Sequence, residues 1–490
     1  MNSDYLWLAP LISLLFGAAM LLCRDRRWLA ALDVAGSVTV LALVVLMARG
    51  VAQAGSLTAL GVFRADEVAV VFLLLIGLLA LAVSVVSVGW MRAEVARGHM
   101  LADRLRYYYA LVHGFIATML ITVLSDNLGI LWIAMEGTTI TSALLVGFHG
   151  DKFALEAAWK YIIVTTIGIS FGLFGTVLVY GAAVHAQGGV FAAAMNYSSI
   201  APLAKQLDPG IIRIAFIFVI VGYGTKAGLA PVHMWLPDAH SQAPTPVSAL
   251  LSGALIKCAL FGIIRFHTLA RGACGPEFSQ GLLLIFGLVS VVVATPFIIV
   301  QHDLKRLLGY HSVEHVGIIA LGLGFGGKVG TYGALLHVIN HGVTKALVFL
   351  VAGDAIGRYG TRDMRLMKGF IHVAPMAATL LLMGAFSLAG TPPFSIFMSE
   401  LIIVKAGLGA AHYAMVAVFL AMVVIIFAGL IHHVGQMAFG EADGTVDRGR
   451  EQRSSLAGAV LLAAAMVLFG VTMPGPLDHI LTRATEIILG

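Results

Sequence analysis

Ala227-Gly-Leu-Ala-Pro231 and Ala389-Gly-Thr-Pro-Pro393 stand 162 positions apart. Each sits inside an apolar stretch, so each predicts a helix that breaks at a glycine–proline step and then resumes. Proline removes a backbone donor and clashes with the preceding turn, and the groups it frees need protein or water as partners. Counted along the chain, the two stretches fall in the seventh and twelfth apolar spans. Five spans separate them, and an odd shift reverses direction through a bilayer. Two proline-broken helices at matching places in oppositely oriented halves are a transporter pattern. At the same offset Asp238 aligns with Glu400.

The composition agrees. Of 490 residues, 60% are hydrophobic and 11% are charged, and the mean hydropathy is +0.96. A soluble domain is nearer half apolar and a quarter charged, so disorder, a fibrous repeat and an ordinary soluble enzyme are excluded. A helix needs roughly 20 apolar residues to cross the hydrocarbon core. Fourteen candidates occur, at about 5–23, 28–48, 67–90, 107–125, 127–149, 160–184, 211–236, 243–270, 280–300, 306–325, 330–356, 371–406, 411–439 and 455–474. The fold class expected is an all-α polytopic membrane protein of about 14 transmembrane helices. The first run follows Asp4 and lacks a basic flank, so it reads as a retained span and not a signal peptide.

With both termini outside, eighteen of the 30 Lys and Arg fall in inner loops, Arg448, Arg450 and Arg453 among them, and nine near the outer side. That asymmetry follows the positive-inside rule. It leaves Lys226, Lys257 and Lys345 inside apolar spans. Cys23, Cys258 and Cys274 are too scattered for a disulfide framework or an iron–sulfur cluster. No CxxC or Walker motif is present, and Gly322-Leu-Gly-Phe-Gly-Gly327 lacks the strand that a dinucleotide turn requires.

A charge at mid-bilayer costs roughly 2.5–3.5 kcal/mol on insertion scales, so such residues face the protein interior and have a job. Glu136 lies mid-span in Leu131-Trp-Ile-Ala-Met-Glu-Gly137, and its partner must come from another helix. Lys226 precedes the Pro231 break by about one turn. A Glu–Lys pair made and broken there is a proton gate; a static ion pair is the plainer alternative. Lys257 is too deep in its span to snorkel without strain. His337, His341 and Lys345 recur at i, i+4, i+8 on one helix face, with Asn340 beside them. An imidazole takes a proton on one nitrogen and releases it from the other, so this column suits a relay; satisfied core histidines are the alternative. A haem or metal reading is set aside: haem wants opposing histidines on another helix, and the lysine repels a cation. The tenth span adds His311, Glu314 and His315, entered through an inner-face anchor, Asp303-Leu-Lys-Arg306. Glu400 lies seven residues beyond Pro393, with Lys405 a candidate partner. His432 and His433 read as interfacial. The groups recur in both halves, which predicts a lateral path as well as a transverse one.

Gly224-Thr-Lys-Ala-Gly-Leu-Ala-Pro-Val-His-Met-Trp-Leu-Pro-Asp-Ala-His-Ser-Gln-Ala-Pro-Thr-Pro-Val-Ser-Ala-Leu-Leu251 resembles the signature of the proton-pumping subunits of respiratory complex I and the related Mrp antiporters. His302-Asp-Leu-Lys-Arg-Leu-Leu-Gly-Tyr310 and Leu336-His-Val-Ile-Asn-His-Gly-Val-Thr-Lys-Ala-Leu347 fit the same family. Val88-Gly-Trp-Met-Arg-Ala-Glu-Val-Ala-Arg-Gly98, Glu156-Ala-Ala-Trp-Lys-Tyr-Ile-Ile163 and Phe171-Gly-Leu-Phe-Gly-Thr-Val-Leu-Val-Tyr180 resemble, more narrowly, component F of hydrogenase-4.

The resemblance implies roles. Glu136 matches the essential glutamate of the fifth helix, Lys226 the lysine of the broken seventh helix, and Lys257 a linking lysine on the eighth. His337, His341 and Lys345 match the polar column of the eleventh helix, and Glu400 the exit position of the twelfth. His311 stands where relatives have a small residue; with His315 it is a candidate relay station. The implied fold is two inverted five-helix repeats with broken helices 7 and 12. Residues 1–105 form an N-terminal three-helix segment, 106–270 and 271–440 the repeats, and 441–490 a loop and the last helix. The chain ends soon after the fourteenth span, without the long lateral helix of the largest complex I pump subunit.

The implied function is proton translocation in a hydrogenase-4- or formate-hydrogenlyase-like complex of the inner (cytoplasmic) membrane. No cofactor or metal is expected on this chain. A nickel–iron centre and iron–sulfur clusters are expected in partner subunits: other membrane-arm subunits and a soluble nickel–iron hydrogenase-type arm. Nucleic acid is not a partner. The alternatives are an Mrp-type cation/proton antiporter or inorganic-carbon-uptake subunit, and a passive membrane anchor that retains ancestral charges.

Overall fold

A computed structural model describes residues 3–190, 193–441, 446, 451 and 453–490, without the side chains of 453–455. Arg448, Arg450 and the side chain of Arg453 lie outside the described residues. The order is α1 (Tyr5–Leu22), α2 (Arg26–Ala54), a hairpin β1 (Ser56–Ala59) and β2 (Phe63–Asp66), α3 (Glu67–Ala96), α4 (Leu105–Leu124), α5 (Leu128–Val146) and α6 (Lys152–Ala186). Next come α7 (Pro209–Ala227), α8 (Trp235–Gln242), α9 (Thr245–Cys274), α10 (Pro276–Val300), α11 (Leu304–Phe325) and α12 (Gly327–Tyr359). The last are α13 (Pro375–Leu388), α14 (Ser395–Gly409), α15 (Tyr413–Phe439), α16 (Arg453–Val471) and α17 (Gly475–Leu489).

Among the described residues, eleven helices are long and apolar enough to cross a membrane, or twelve when the bent pair at the C-terminus counts as one. The protein is a multi-pass membrane protein. Two of the fourteen expected spans fall below that threshold for physical reasons. The tenth, α11, is diluted by His311, Glu314 and His315, and the twelfth is two half-helices, α13 and α14. Two elements escaped the sequence reading. The hairpin pairs Ser56 with Asp66 and Ala59 with Phe63; its turn places Leu60 and Gly61 at positive φ. The last helix, α17, bends 72° from the one before it.

The apolar windows of α9 and α12 are entirely buried, whereas that of α15 is 22% buried. The two buried helices are interior pillars, and α12 packs against α3, α9, α11, α13, α14, α16 and α17. A polar group on α12 therefore faces protein, where partners exist, and not acyl chains.

Three backbone hydrogen bonds recur at the two breaks. After α7, Gly228 takes a left-handed φ of 84°; after α13, Gly390 takes 65°. Leu229 N donates to Gly224 O at 2.9 Å, and Thr391 N to Phe386 O at 3.1 Å. Gly228 N reaches Thr225 O at 3.2 Å, and Gly390 N reaches Ser387 O at 3.0 Å. Val232 N to Leu229 O and Phe394 N to Thr391 O both measure 3.1 Å. Every pair is offset by 162 positions. Glycine is needed because a left-handed residue closes each helix end, and the Ala230–Pro231 and Pro392–Pro393 peptides are both cis.

Candidate functional site

At the first break the expected Glu–Lys pair is not a direct one. Thr139 Oγ1 donates to Glu136 Oε2 at 3.1 Å and accepts from Lys226 Nζ at 2.6 Å. One hydroxyl thus separates carboxylate from ammonium. Lys226 Nζ also donates to Tyr161 Oη at 2.7 Å and lies 4.7 Å from that ring's centre. Tyr161 Oη meets Ser142 Oγ at 2.8 Å. Lys226 is wholly buried. Glu136 is half-buried at the α5–α6 edge, its other oxygen accepting from the exposed Thr166 at 2.7 Å. The Thr225 carbonyl at the end of α7 accepts from the Trp235 indole at 2.8 Å, so α8 caps the helix that carries Lys226.

At α9 the helix widens to a π-turn over Leu251–Leu255. Such turns leave carbonyls with altered partners, and Lys257 Nζ donates to Ser252 O at 2.7 Å. Its second contact is His341 Nδ1 at 2.7 Å. Lys257 is 1% exposed, so it does not snorkel. The ring of His315 stacks on that of His341 at 4.6 Å between centres. His315 Nδ1 meets His337 Nε2 at 3.0 Å, and His337 Nδ1 meets Ser399 Oγ at 3.0 Å. Ser399 Oγ in turn donates to Ile396 O at 2.9 Å. Glu400 brings a carboxylate oxygen within 4.8 Å of ring nitrogens of both His315 and His337.

Opposing histidines are therefore present: His315 on α11 faces His337 and His341 on α12, with His311 beside it on α11. Lys405 is exposed, and Glu400 lies instead with the histidines. Asp238, its counterpart in the repeat, pairs with Arg306 at 2.9 Å and Lys160 at 3.8 Å near one end of the bundle. The repeat preserves the break but not the acid. His311 Nδ1 meets Glu314 Oε2 at 2.8 Å, both buried, so His311 does more than fill space. Lys345 Nζ donates to the Leu308 carbonyl of α11. His433 is partly exposed and meets Ile299 O at 2.9 Å.

The hydrogen bonds of Lys226 and Lys257 do not meet, so the array is two clusters. Among the described residues, both ring nitrogens of His240, Nε2 of His311, His315 and His341, and Oδ1 of Asn340 are buried without a protein partner. Buried polar atoms are almost always satisfied, so these atoms are where ordered water would bind. At one end of the bundle a cavity of about 440 Å³ is lined by Glu94, Arg97, His149, Asp151, Lys305 and Arg362 among others. Lys305 is not a surface anchor: it is 3% exposed, and its ammonium donates to Ala243 O at 2.5 Å. Asp303, the first residue of that anchor, caps α11 through Arg306 N at 2.9 Å.

Thr139, Tyr161, Ser142, Ser399 and Glu314 complete the two clusters. Only Glu314 carried a sequence signal, a charge inside an apolar span.

Known proteins share this architecture. The family description "NADH:quinone oxidoreductase/Mrp antiporter, TM" matches residues 125–426. A hydrogenase-4 component F homologue of Methylacidiphilum infernorum (isolate V4) is 36% identical over 385 residues, 78% of this chain and 80% of the relative. A chain of the Mrp complex from Dietzia sp. DQ12-45-1b superposes with a TM-score of 0.87 at 22% identity, over 100% of both chains. A chain of the membrane-bound sulfane sulfur reductase, an archaeal respiratory membrane complex, gives 0.86 at 23% identity, over 99% of this chain and 97% of the other. The fold, the two breaks and these matches agree that the chain belongs to the NADH:quinone oxidoreductase/Mrp antiporter transmembrane family, on the side of the hydrogenase-4 component F homologues.

Proposed function

We propose that this chain translocates protons through its buried Glu, Lys and His groups, as the membrane subunit of a hydrogenase-4-like complex. The observation that carries the reading is the Glu136–Thr139–Lys226 arrangement. A single hydroxyl both accepts and donates, so a proton passes when it rotates, while the charge on Lys226 responds to the carboxylate beyond it. From Lys226 the proton crosses hydrated space to Lys257, then His341, His315 and His337, and leaves at Glu400. His311 and Lys345 tune this second cluster through Glu314. Residues 106–270 and 271–440 act as the two inverted halves, with 1–105 and 441–490 flanking them. Both termini lie outside the inner membrane. Redox chemistry belongs to partner subunits that hold a nickel–iron centre and iron–sulfur clusters. Glu136→Ala and Lys226→Ala should each abolish proton uptake into vesicles and leave assembly largely intact. Unchanged uptake in both variants would refute the assignment.

A further inference from the structure

His315, His337 and Glu400 come from three helices, α11, α12 and α14, and present one ligand atom each within 4.8 Å of the other two. We propose that they form a binding site for a divalent transition-metal ion of the Zn²⁺ class, and that the bound ion closes the proton path. The closure rests on the proton-path reading; the binding does not.

The donor set fits the chemistry. Zinc favours imidazole nitrogen and carboxylate oxygen in a tetrahedron, with Zn–N near 2.0–2.1 Å, which sets ligand nitrogens about 3.3 Å apart. His315 Nδ1 and His337 Nε2 are 3.0 Å apart and the Glu400 oxygen lies within 4.8 Å of both, so the ion is admitted when the two rings turn their lone pairs to a common point and the Glu400 side chain swings toward it. Two imidazoles and one carboxylate leave a fourth position for water. The Ser399 hydroxyl donates to Ile396 O, so its oxygen accepts from His337 Nδ1. This assigns the His337 proton to Nδ1 and leaves a lone pair on Nε2. Metal-bound histidines ordinarily have their other nitrogen anchored in this way. His315 frees its Nδ1 when its proton moves to Nε2, an atom with no protein partner.

The other groups around the site have settled roles. His341 Nδ1 is engaged by Lys257. His311 and Glu314 are engaged with each other. The lysine repulsion that counted against a cation in the sequence reading is met by two carboxylates, Glu314 and Glu400. Glu400 lies against Gly390 of the second break, and the adjoining Pro392 and Pro393 are exposed. An ion on His315 and His337 occupies the nitrogens that would pass the proton, and ties α11, α12 and α14 together.

The test is a zinc titration of the purified full chain against a chromophoric chelator, after stripping with a stronger one. Wild type and His432→Ala should hold one tight equivalent. Glu400→Gln and His337→Gln should weaken it by more than about tenfold, and Ser399→Ala by about tenfold, the scale of a lost anchoring partner. Equal affinity in all variants, with elution profiles like wild type, overturns the site. In vesicles carrying the whole complex with its redox partner subunits, one bound equivalent should arrest proton uptake by wild type and His432→Ala; uptake that continues with the ion bound overturns the closure. Wild type that takes up no protons without zinc would strike the functional reading alone, because the titration does not depend on transport.

Discussion

At the first break a carboxylate and an ammonium face each other across one threonine hydroxyl. At the second, four imidazoles and two carboxylates from three helices crowd together. The backbone of the two breaks is the same, yet the chemistry grafted onto it differs. The first cluster opens to the side of the bundle through Glu136 and Thr166, on a face where Ile133, Ile140, Ile163 and Ile167 are exposed. The second is sealed among the interior helices. A gate needs a charge whose surroundings can change, and on the proposed path the half-buried edge suits that role. A relay needs groups that accept and donate at opposite ends, and on the proposed path the hydrogen-bonded imidazoles of His315 and His337 suit that role. The pseudo-symmetry therefore governs where helices break, and the side chains decide what each break does.

The largest test of this contrast is Lys226→Ala. It removes the charge that the first cluster is built around and should lower proton uptake by at least about 10²-fold, the scale of a lost acid–base group. A vesicle uptake rate near wild type would erase the distinction between gate and relay. Thr139→Val keeps both charges and removes only the hydroxyl between them. Uptake should fall about tenfold, or about 1.4 kcal/mol in the barrier, and Thr139→Ser should restore it. If valine and serine behave alike, the hydroxyl is not the link. The smallest effect is expected for His311→Ala. It takes a hydrogen-bond partner from buried Glu314 at a cost of roughly 1–3 kcal/mol in stability, seen as a lower thermal midpoint with uptake reduced only a few-fold. A loss as complete as that of Lys226→Ala would move His311 into the main path.

Some of this was legible in the residues alone. Glu136, Lys226, Lys257, Lys345 and Glu400 stood out because a charge in an apolar span is too costly to be idle. The His337–His341–Lys345 column was legible because a helix has a fixed period. The hydroxyl partners were not legible. Thr139, Tyr161, Ser142 and Ser399 are ordinary in helices, where hydroxyls bond their own backbone, as Thr165 does to Tyr161 at 2.8 Å. Glu314 was visible, but its pairing with His311 depended on which way two side chains turned.

By itself the sequence determined the polytopic helical architecture, the two matching breaks and the identity of the buried charges, because hydropathy, proline chemistry and helical period act locally along the chain. Tertiary structure alone decided that Glu136 and Lys226 meet through Thr139, that Asp238 and its repeat partner Glu400 have unlike surroundings, and that the histidines of α11 face those of α12. Those outcomes depend on how helices rotate and slide against one another, and that register is set by the packing of all the side chains between them.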